Sequence, residues 1–315
     1  MNPTRQLNGE VQRKTLFVQH IVQTEFTHRV RKSCRIDLSN ATLFSPKEKN
    51  SSSLSKGAYA MIPKPQEIDI QTLSEADISC DQLTEDWHIF QLKKGHRFSA
   101  DDIFTAYFAS MHHPNPQNLL DLGAGIGTVG LLTLSRFPKA HLTMIEAQDI
   151  SHQLAKRSIA HNNIAHRVHA LQGDLRTTHL WPQKFDIITG SPPYIPIDKG
   201  VISPHPQRAA CRMELRGSIF DYAESASLHL KEDGVFVVCF AGQDPRGEEA
   251  LAKAHLHCRL RQDVVFRADL APTISIFVAQ KQPCIPQKPP PIMIRDAQGS
   301  WTKEYIQIRS FQPRT

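Results

Sequence analysis

From residue 118 onward, short apolar runs alternate with segments of helical periodicity. The runs at 118–122, 141–146, 167–173 and 184–190 read as buried strands, and 128–137 and 150–162 read as helices. Further on come a helix at 216–230, a strand at 234–241, a helix at 246–255, and two closing strands near 259–267 and 273–280. Alternation of this kind predicts an α/β fold, a doubly wound sheet of seven strands with ligands at the strands' carboxyl ends. Ahead of it, Ser99 to Met111 reads as a helix: Ser99 caps, Asp101 and Asp102 occupy the first turn, and Ile103, Tyr107 and Met111 share a face. Residues 61–86 are acidic and weakly periodic, which predicts loop with one short helix. Residues 1–45 hold only short apolar patches, and the serine-bearing stretch from Lys47 to Lys56 reads as a flexible linker. The pattern divides the chain into an N-terminal extension (1–60), a cap segment (61–117), a main domain (118–281) and a proline-rich C-terminal tail (282–315).

Composition adds two constraints. A chain of 315 residues accommodates one large α/β domain with appendages. The net charge of +6 lies wholly in residues 1–60, which carry ten Lys and Arg against four acids, while the remainder is balanced. Such a basic, partly disordered extension raises nucleic-acid affinity without sequence preference. An equal reading makes it a solvated, partly disordered leader, or a mis-called start with Met61 as the true initiator. Six cysteines are scattered without a C-x-x-C pair, as in a reduced cytoplasmic protein lacking a disulfide framework or zinc site. The paired histidines His112/His113 and His255/His257 are spaced wrongly to face one metal from a helix. No apolar run approaches the ~18 residues of a membrane span. Neither metal nor membrane is expected, and a monomer is favoured.

The chemistry concentrates at the predicted strand ends. Leu119-Leu120-Asp121-Leu122-Gly123-Ala124-Gly125-Ile126-Gly127 runs from a strand through glycines into a helix, and Gly125, Gly127 and Gly130 satisfy G-x-G-x-x-G. Glycines there let the backbone turn tightly and approach a nucleotide-type cofactor. Glu146 ends the next strand, where a carboxylate can accept from both ribose hydroxyls. Asp174 ends the third, placed to accept from an adenine amino group with Leu175 against the ring. Ser191-Pro192-Pro193-Tyr194 follows the strand at 184–190. Prolines donate no N–H, so this is a stiff, acceptor-rich rim. Ser191 Oγ and the Pro192 carbonyl would take the two hydrogens of a planar amino group while Tyr194 stacks on its ring.

The order of glycine loop, strand-end Glu, strand-end Asp and S-P-P-Y resembles the class I S-adenosylmethionine-dependent methyltransferases that act on amino nitrogens. Lys94-Gly95-His96-Arg97-Phe98-Ser99-Ala100-Asp101 is similar to the G-x-R-F-S-x-D segment of the bacterial tRNA (adenine-N6)-methyltransferases, and Pro206-Gln207-Arg208-Ala209-Ala210-Cys211-Arg212 to their P-x-R-x-x-x-R segment. The stretch Asp296-Ala297-Gln298-Gly299-Ser300-Trp301-Thr302 resembles their closing stretch, so the likeness runs from Trp87 to Tyr305. Position 191 departs from the usual N-P-P-Y, since serine keeps one acceptor but lacks the amide.

The resemblance implies a Rossmann-like fold, S-adenosylmethionine as cofactor, and tRNA as partner, with N6 of an adenine beside the anticodon of a valine tRNA as the family's target. It also implies that Arg97 and Phe98 serve the cofactor's amino-acid end or a lid formed with the 99–111 helix. Lys199, Arg208 and Arg212 become candidates for phosphate contacts around the target base. Three rivals stand beside this reading. A protein glutamine N5-methyltransferase uses a similar rim. A non-catalytic RNA-binding descendant would explain the serine. A nicotinamide dehydrogenase would use the glycines but leaves S-P-P-Y and Asp174 without a role.

Overall fold

The computed structural model describes Ile68 and residues 72–310; the N-terminal extension expected over 1–60 lies outside them. The main sheet contains β3 (Asn118–Leu122), β4 (His141–Glu146), β5 (Val168–Gln172), β6 (Phe185–Gly190), β7 (Leu230–Ala241), β8 (His257–Val265), β9 (Ile274–Gln280) and β10 (Ile292–Met293). They lie in the order β10-β8-β9-β7-β6-β3-β4-β5. Strands β3 to β7 are mutually parallel, and β9 runs antiparallel between β7 and β8. Helices α2 (Thr128–Ser135), α3 (Asp149–His161), α5 (Ile219–His229) and α6 (Arg246–Lys253) make the crossovers. This is the Rossmann-like architecture that the alternation predicts.

Both faces of the sheet are covered, which is why the strands read as continuous apolar runs. Strand β3 shows it: Leu119 packs into one core cluster, Leu120 and Leu122 into the other. Helix α1 (Ala100–Met111) begins as expected at Ser99, whose N–H donates to Asp102 Oδ2 at 2.9 Å.

Three features differ from the sequence reading. Residues 78–92 form a hairpin, β1 (Ile78–Gln82) antiparallel to β2 (His88–Leu92), and β1 lies within the 61–86 stretch expected to be loop with one short helix. Its alternation is masked by buried polar groups: Gln91 is fully buried and donates to Asp81, which also takes the Arg97 guanidinium. Strand β7 begins at Leu230, four residues early. Lys231-Glu232-Asp233-Gly234 looks like a turn, but Lys231 pairs with Asp186 at 2.7 Å, and a Cβ on Gly234 would fall 2.9 Å from the Phe185 carbonyl of the adjacent strand.

Finally, the sheet has eight strands. The eighth, β10, comes from the proline-rich tail, which also supplies α7 (Lys303–Arg309). Tyr305 of α7 is 1% exposed and stacks on Phe104 of α1 at 5.8 Å, so tail and cap segment pack against one core. The described residues of the cap, main and tail segments fall within one compact unit.

Candidate active site

A cleft lies at the carboxyl ends of β3, β4 and β6. Of the residues proposed for cofactor binding, Phe98, Asp121, Gly123, Gly125, Glu146 and Leu175 line it; from the tetrapeptide, Ser191 and Pro193 do.

The floor is the turn after β3. Gly123 and Gly125 both have positive φ, +58° and +57°, a region costly for side chains with a Cβ. A Cβ on Gly123 would sit 1.9 Å from the Tyr222 hydroxyl, whereas one on Gly125 would meet nothing within 4 Å. Gly123 therefore answers to packing, and Gly125 presents bare backbone to the cleft. Gly127 caps α2 without lining the cleft. Gly130 makes room for Asp121, whose Oδ2 accepts its N–H at 2.9 Å.

Glu146 is 7% exposed, and both of its oxygens accept backbone amides: Gly125 N–H at 2.7 Å and Gln148 N–H at 2.6 Å. Burial pushes its pKa up, and the two amides pull the other way. They fix the carboxylate's plane while each oxygen retains a lone pair for a further donor. Asp121, 1% exposed, accepts from Thr189 Oγ1 at 2.7 Å besides Gly130. Burial raises its pKa to about 6. A carboxyl whose folded pKa is raised contributes stability below its unfolded pKa, and that contribution is lost as pH rises through about 6. Asp121→Asn is therefore expected to gain stability relative to the parent as pH climbs from 4 to 7, by up to roughly 3 kcal/mol. Urea denaturation at several pH values measures this; a difference independent of pH would contradict the buried-charge reading.

The other residues named from sequence sit nearby without lining the cleft. Asp174 carries an ion pair with Arg176 at 2.5 Å, although its neighbours Gly173 and Leu175 face inward. Arg97 is turned away, its guanidinium donating to Ser79 Oγ at 2.8 Å and Asp81 at 2.9 Å. It ties the Lys94–Phe98 segment to the hairpin instead of reaching toward a ligand. Pro192 is buried behind the rim. Tyr194 has its hydroxyl 3.0 Å from both Asp101 Oδ2 and Cys239 Sγ, and its ring lies edge-on to Phe240 at 5.6 Å. Burial holds that phenol well above its usual pKa.

Arg208, on α4 (Pro206–Arg212), donates to the Lys94 and Gly95 carbonyls at 3.0 and 3.1 Å; Arg212 ends the same helix, and Lys199 lies exposed in the loop before it.

The lining residues that sequence reasoning did not name include His96, Cys211, Arg216 and Tyr222. His96 sits beside Arg208 and Arg212, and burial first, then those charges, lower its pKa to about 4, so its imidazole is neutral at physiological pH. The His96 backbone N–H donates to Gln207 Oε1 at 3.0 Å, and the Gln207 amide donates in turn to Ser151 Oγ. Only the spacing of the 94–98 segment ahead of a helix cap signalled that it borders a site.

Comparisons with known proteins agree with this geometry. Residues 97–205 match the methyltransferase small domain family. A solved chain described as a predicted O-methyltransferase from Agrobacterium tumefaciens superposes with a TM-score of 0.51 at 17% identity, covering 67% of this chain and 97% of its own, which establishes the shared fold. The chain thus carries a methyltransferase small domain on the fold of the S-adenosylmethionine-dependent methyltransferases. Among curated proteins it is similar to the tRNA1(Val) (adenine(37)-N6)-methyltransferase of Haemophilus influenzae, 25% identical over 227 residues, covering 70% of this chain and 93% of the relative. The Pasteurella multocida enzyme of the same name is 26% identical over 224 residues, covering 70% and 91%.

The cleft fits the cofactor of this class. Gly125 offers an unobstructed backbone cradle, and Glu146 offers a pre-aligned carboxylate toward hydroxyl donors. Among the described residues no group of three His, Cys, Asp or Glu side chains is placed to hold a metal, and no helix is long and apolar enough to cross a membrane.

Proposed function

We propose that the protein methylates N6 of an adenine in tRNA. The observation that carries this reading is the shared cleft: Ser191 and Pro193 of the rim line the same space as Gly125 and Glu146 of the cofactor floor. An amino nitrogen held at the rim is thereby brought to the methyl donor, and positioning supplies most of the rate. S-adenosylmethionine, when bound, supplies an electrophilic methyl on a sulfonium.

Glu146 holds the ribose hydroxyls, the Gly123–Gly125 turn lies under the cofactor, and Leu175 packs against its adenine, whose amino group Asp174 accepts. Asp121 holds the turn through Gly130, and Phe98 covers the amino-acid end.

The exocyclic nitrogen of adenine is a weak nucleophile because its lone pair is delocalised into the ring. Ser191 Oγ and the Pro192 carbonyl accept its two hydrogens, which favours a more tetrahedral nitrogen and aims its lone pair at the methyl. The cofactor would give its methyl to that nitrogen and be left as a neutral thioether. One N–H proton then leaves to solvent, so no strong base is needed. The target base is unstacked from its neighbours and rests on the Tyr194 ring. Lys199, Arg208 and Arg212 meet the surrounding phosphates. A tRNA acceptor places this work in the cytoplasm.

Purified protein with labelled S-adenosylmethionine, offered total tRNA and whole-cell protein in parallel, tests the acceptor class. Label in tRNA supports the reading, whereas label confined to protein would move it to a glutamine amide. Within tRNA methylation, Ser191→Ala is expected to lower kcat about 10- to 100-fold, matching the ~1–3 kcal/mol lost when a buried donor goes unpaired. Unchanged turnover would remove Ser191 from the rim's chemistry.

A further inference from the structure

Far from the cleft along the same sheet edge, guanidinium groups and aromatic rings alternate. Arg267 lies over Phe266 at 5.6 Å, Arg295 lies between Phe266 at 5.7 Å and Trp301 at 6.0 Å, and Arg309 lies between Trp301 at 4.0 Å and Tyr305 at 5.6 Å. The ladder joins three parts of the chain: the end of β8, the segment after β10, and α7. Arg267 is exposed, and Phe266, Arg295, Trp301 and Arg309 are half-buried, so the ladder presents a surface.

Its charge differs from that of the five arginines held in close ion pairs. Arg97, Arg157, Arg176, Arg246 and Arg261 each meet a carboxylate at 2.9 Å or less. Among the described residues no carboxylate forms an ion pair with Arg267, Arg295 or Arg309. The nearby Asp296 is occupied within its own turn, accepting from the Gln298 and Ser300 amides at 3.0 and 2.8 Å. The Arg309 Nη1 and Trp301 Nε1 groups are buried without a hydrogen-bond partner. Three guanidiniums thus lie against rings without an ion pair among the described residues; Arg295 Nη1 donates to the Gly299 carbonyl, and Asp269 and Glu304 are the exposed acids in these segments.

The topology sets where this surface faces. Strand β8 runs antiparallel to β9, which runs antiparallel to β7, and β7 is parallel to β6; β10 is parallel to β8. Phe266 and Arg295 therefore leave the sheet at the edge where Ser191 leaves β6. In the strand order, β8 stands three positions from β6 and β10 four. At ~4.8 Å per strand this is about 14–19 Å, the axial span of about five nucleotides at ~3.4 Å each.

We propose that this guanidinium–aromatic ladder is a second RNA-contacting surface, gripping the phosphates and unstacked bases of the tRNA strand that runs away from the target adenine. Arginine planes stacked on rings retain their outward N–H groups for phosphate oxygens, and half-exposed rings accept bases whatever their sequence. The inference rests on tRNA being the acceptor.

The test is tRNA binding by the full chain across a range of salt, with cofactor affinity and kcat at saturating tRNA measured alongside. The triple variant Arg267→Gln/Arg295→Gln/Arg309→Gln is expected to bind total tRNA at least tenfold more weakly. Its slope of log K against log salt should fall by about 2, since each phosphate contact contributes roughly 0.7–0.9. Cofactor affinity and kcat should stay within twofold. Should the triple variant melt early, Arg267→Gln alone, on an exposed side chain, carries the test with a slope loss of roughly 0.7–0.9. A parent protein that binds and methylates tRNA, beside variants with unchanged affinity and slope, would overturn the ladder's role and reduce it to a brace or a site for another partner. A parent that methylates only protein would instead overturn the tRNA reading, and this inference with it.

Discussion

Glu146→Ala is expected to weaken S-adenosylmethionine binding by 100-fold or more, the largest effect of any single change in the cleft. Two losses combine. The ribose hydroxyls lose a charged acceptor, worth about 1.5–3 kcal/mol per hydrogen bond. The buried amides of Gly125 and Gln148, now bonded at 2.7 and 2.6 Å, lose theirs as well, so the turn that forms the floor relaxes. Glu146→Gln keeps the volume and one carbonyl acceptor and should fall between the two proteins. Calorimetric titration with the cofactor measures both, with a thermal melt to show that the variants fold. Affinity within threefold of the parent for Glu146→Ala would mean that this carboxylate orders the loop without touching the cofactor.

Tyr194→Ala should separate binding from chemistry. Removing the ring takes away a stacking surface worth ~1–3 kcal/mol to an unstacked base, so kcat/KM for tRNA is expected to fall about 10- to 100-fold while cofactor affinity stays within twofold. The control is Tyr194→Phe, which keeps the ring and deletes the hydroxyl 3.0 Å from Asp101 and Cys239. It should melt lower, by about the ~1 kcal/mol of a typical hydrogen bond, yet transfer methyl at nearly the parental rate. The ring packs edge-on to Phe240 and does not itself line the cleft, so a base must reach its half-exposed side. Normal methylation by Tyr194→Ala would show that it never does.

The sheet was legible from sequence wherever strands are buried on both faces. Residues 118–122 and 141–146 were read to the residue because Leu119-Leu120 and Leu142-Thr143-Met144-Ile145 admit little beyond apolar side chains. The hairpin was not legible, because Asp81 and Gln91 are buried polar residues satisfied by Arg97 and by each other, a pairing across 16 positions that no local pattern reveals. The same long-range pairing explains why Arg97, named for a ligand, faces the hairpin.

Strand β10 is two residues long and depends on β8 for its register, so a proline-rich sequence hides it. At the site, strand-end acids and glycines could be named because topology fixes their place. His96, Arg216 and Tyr222 reach the cleft from a loop, a helix approach and a helix face, positions that only the packed tertiary fold brings together.

The central claim is that the rim at Ser191 presents an adenine amino nitrogen to the cofactor bound over Gly125 and Glu146. The most direct measurement is nucleoside analysis of tRNA after reaction with labelled S-adenosylmethionine. The account predicts label in N6-methyladenosine, accumulating about 10- to 100-fold more slowly in Tyr194→Ala. Label on a ring nitrogen or a ribose oxygen would contradict it, because neither presents two hydrogens to the acceptors proposed at Ser191 and Pro192.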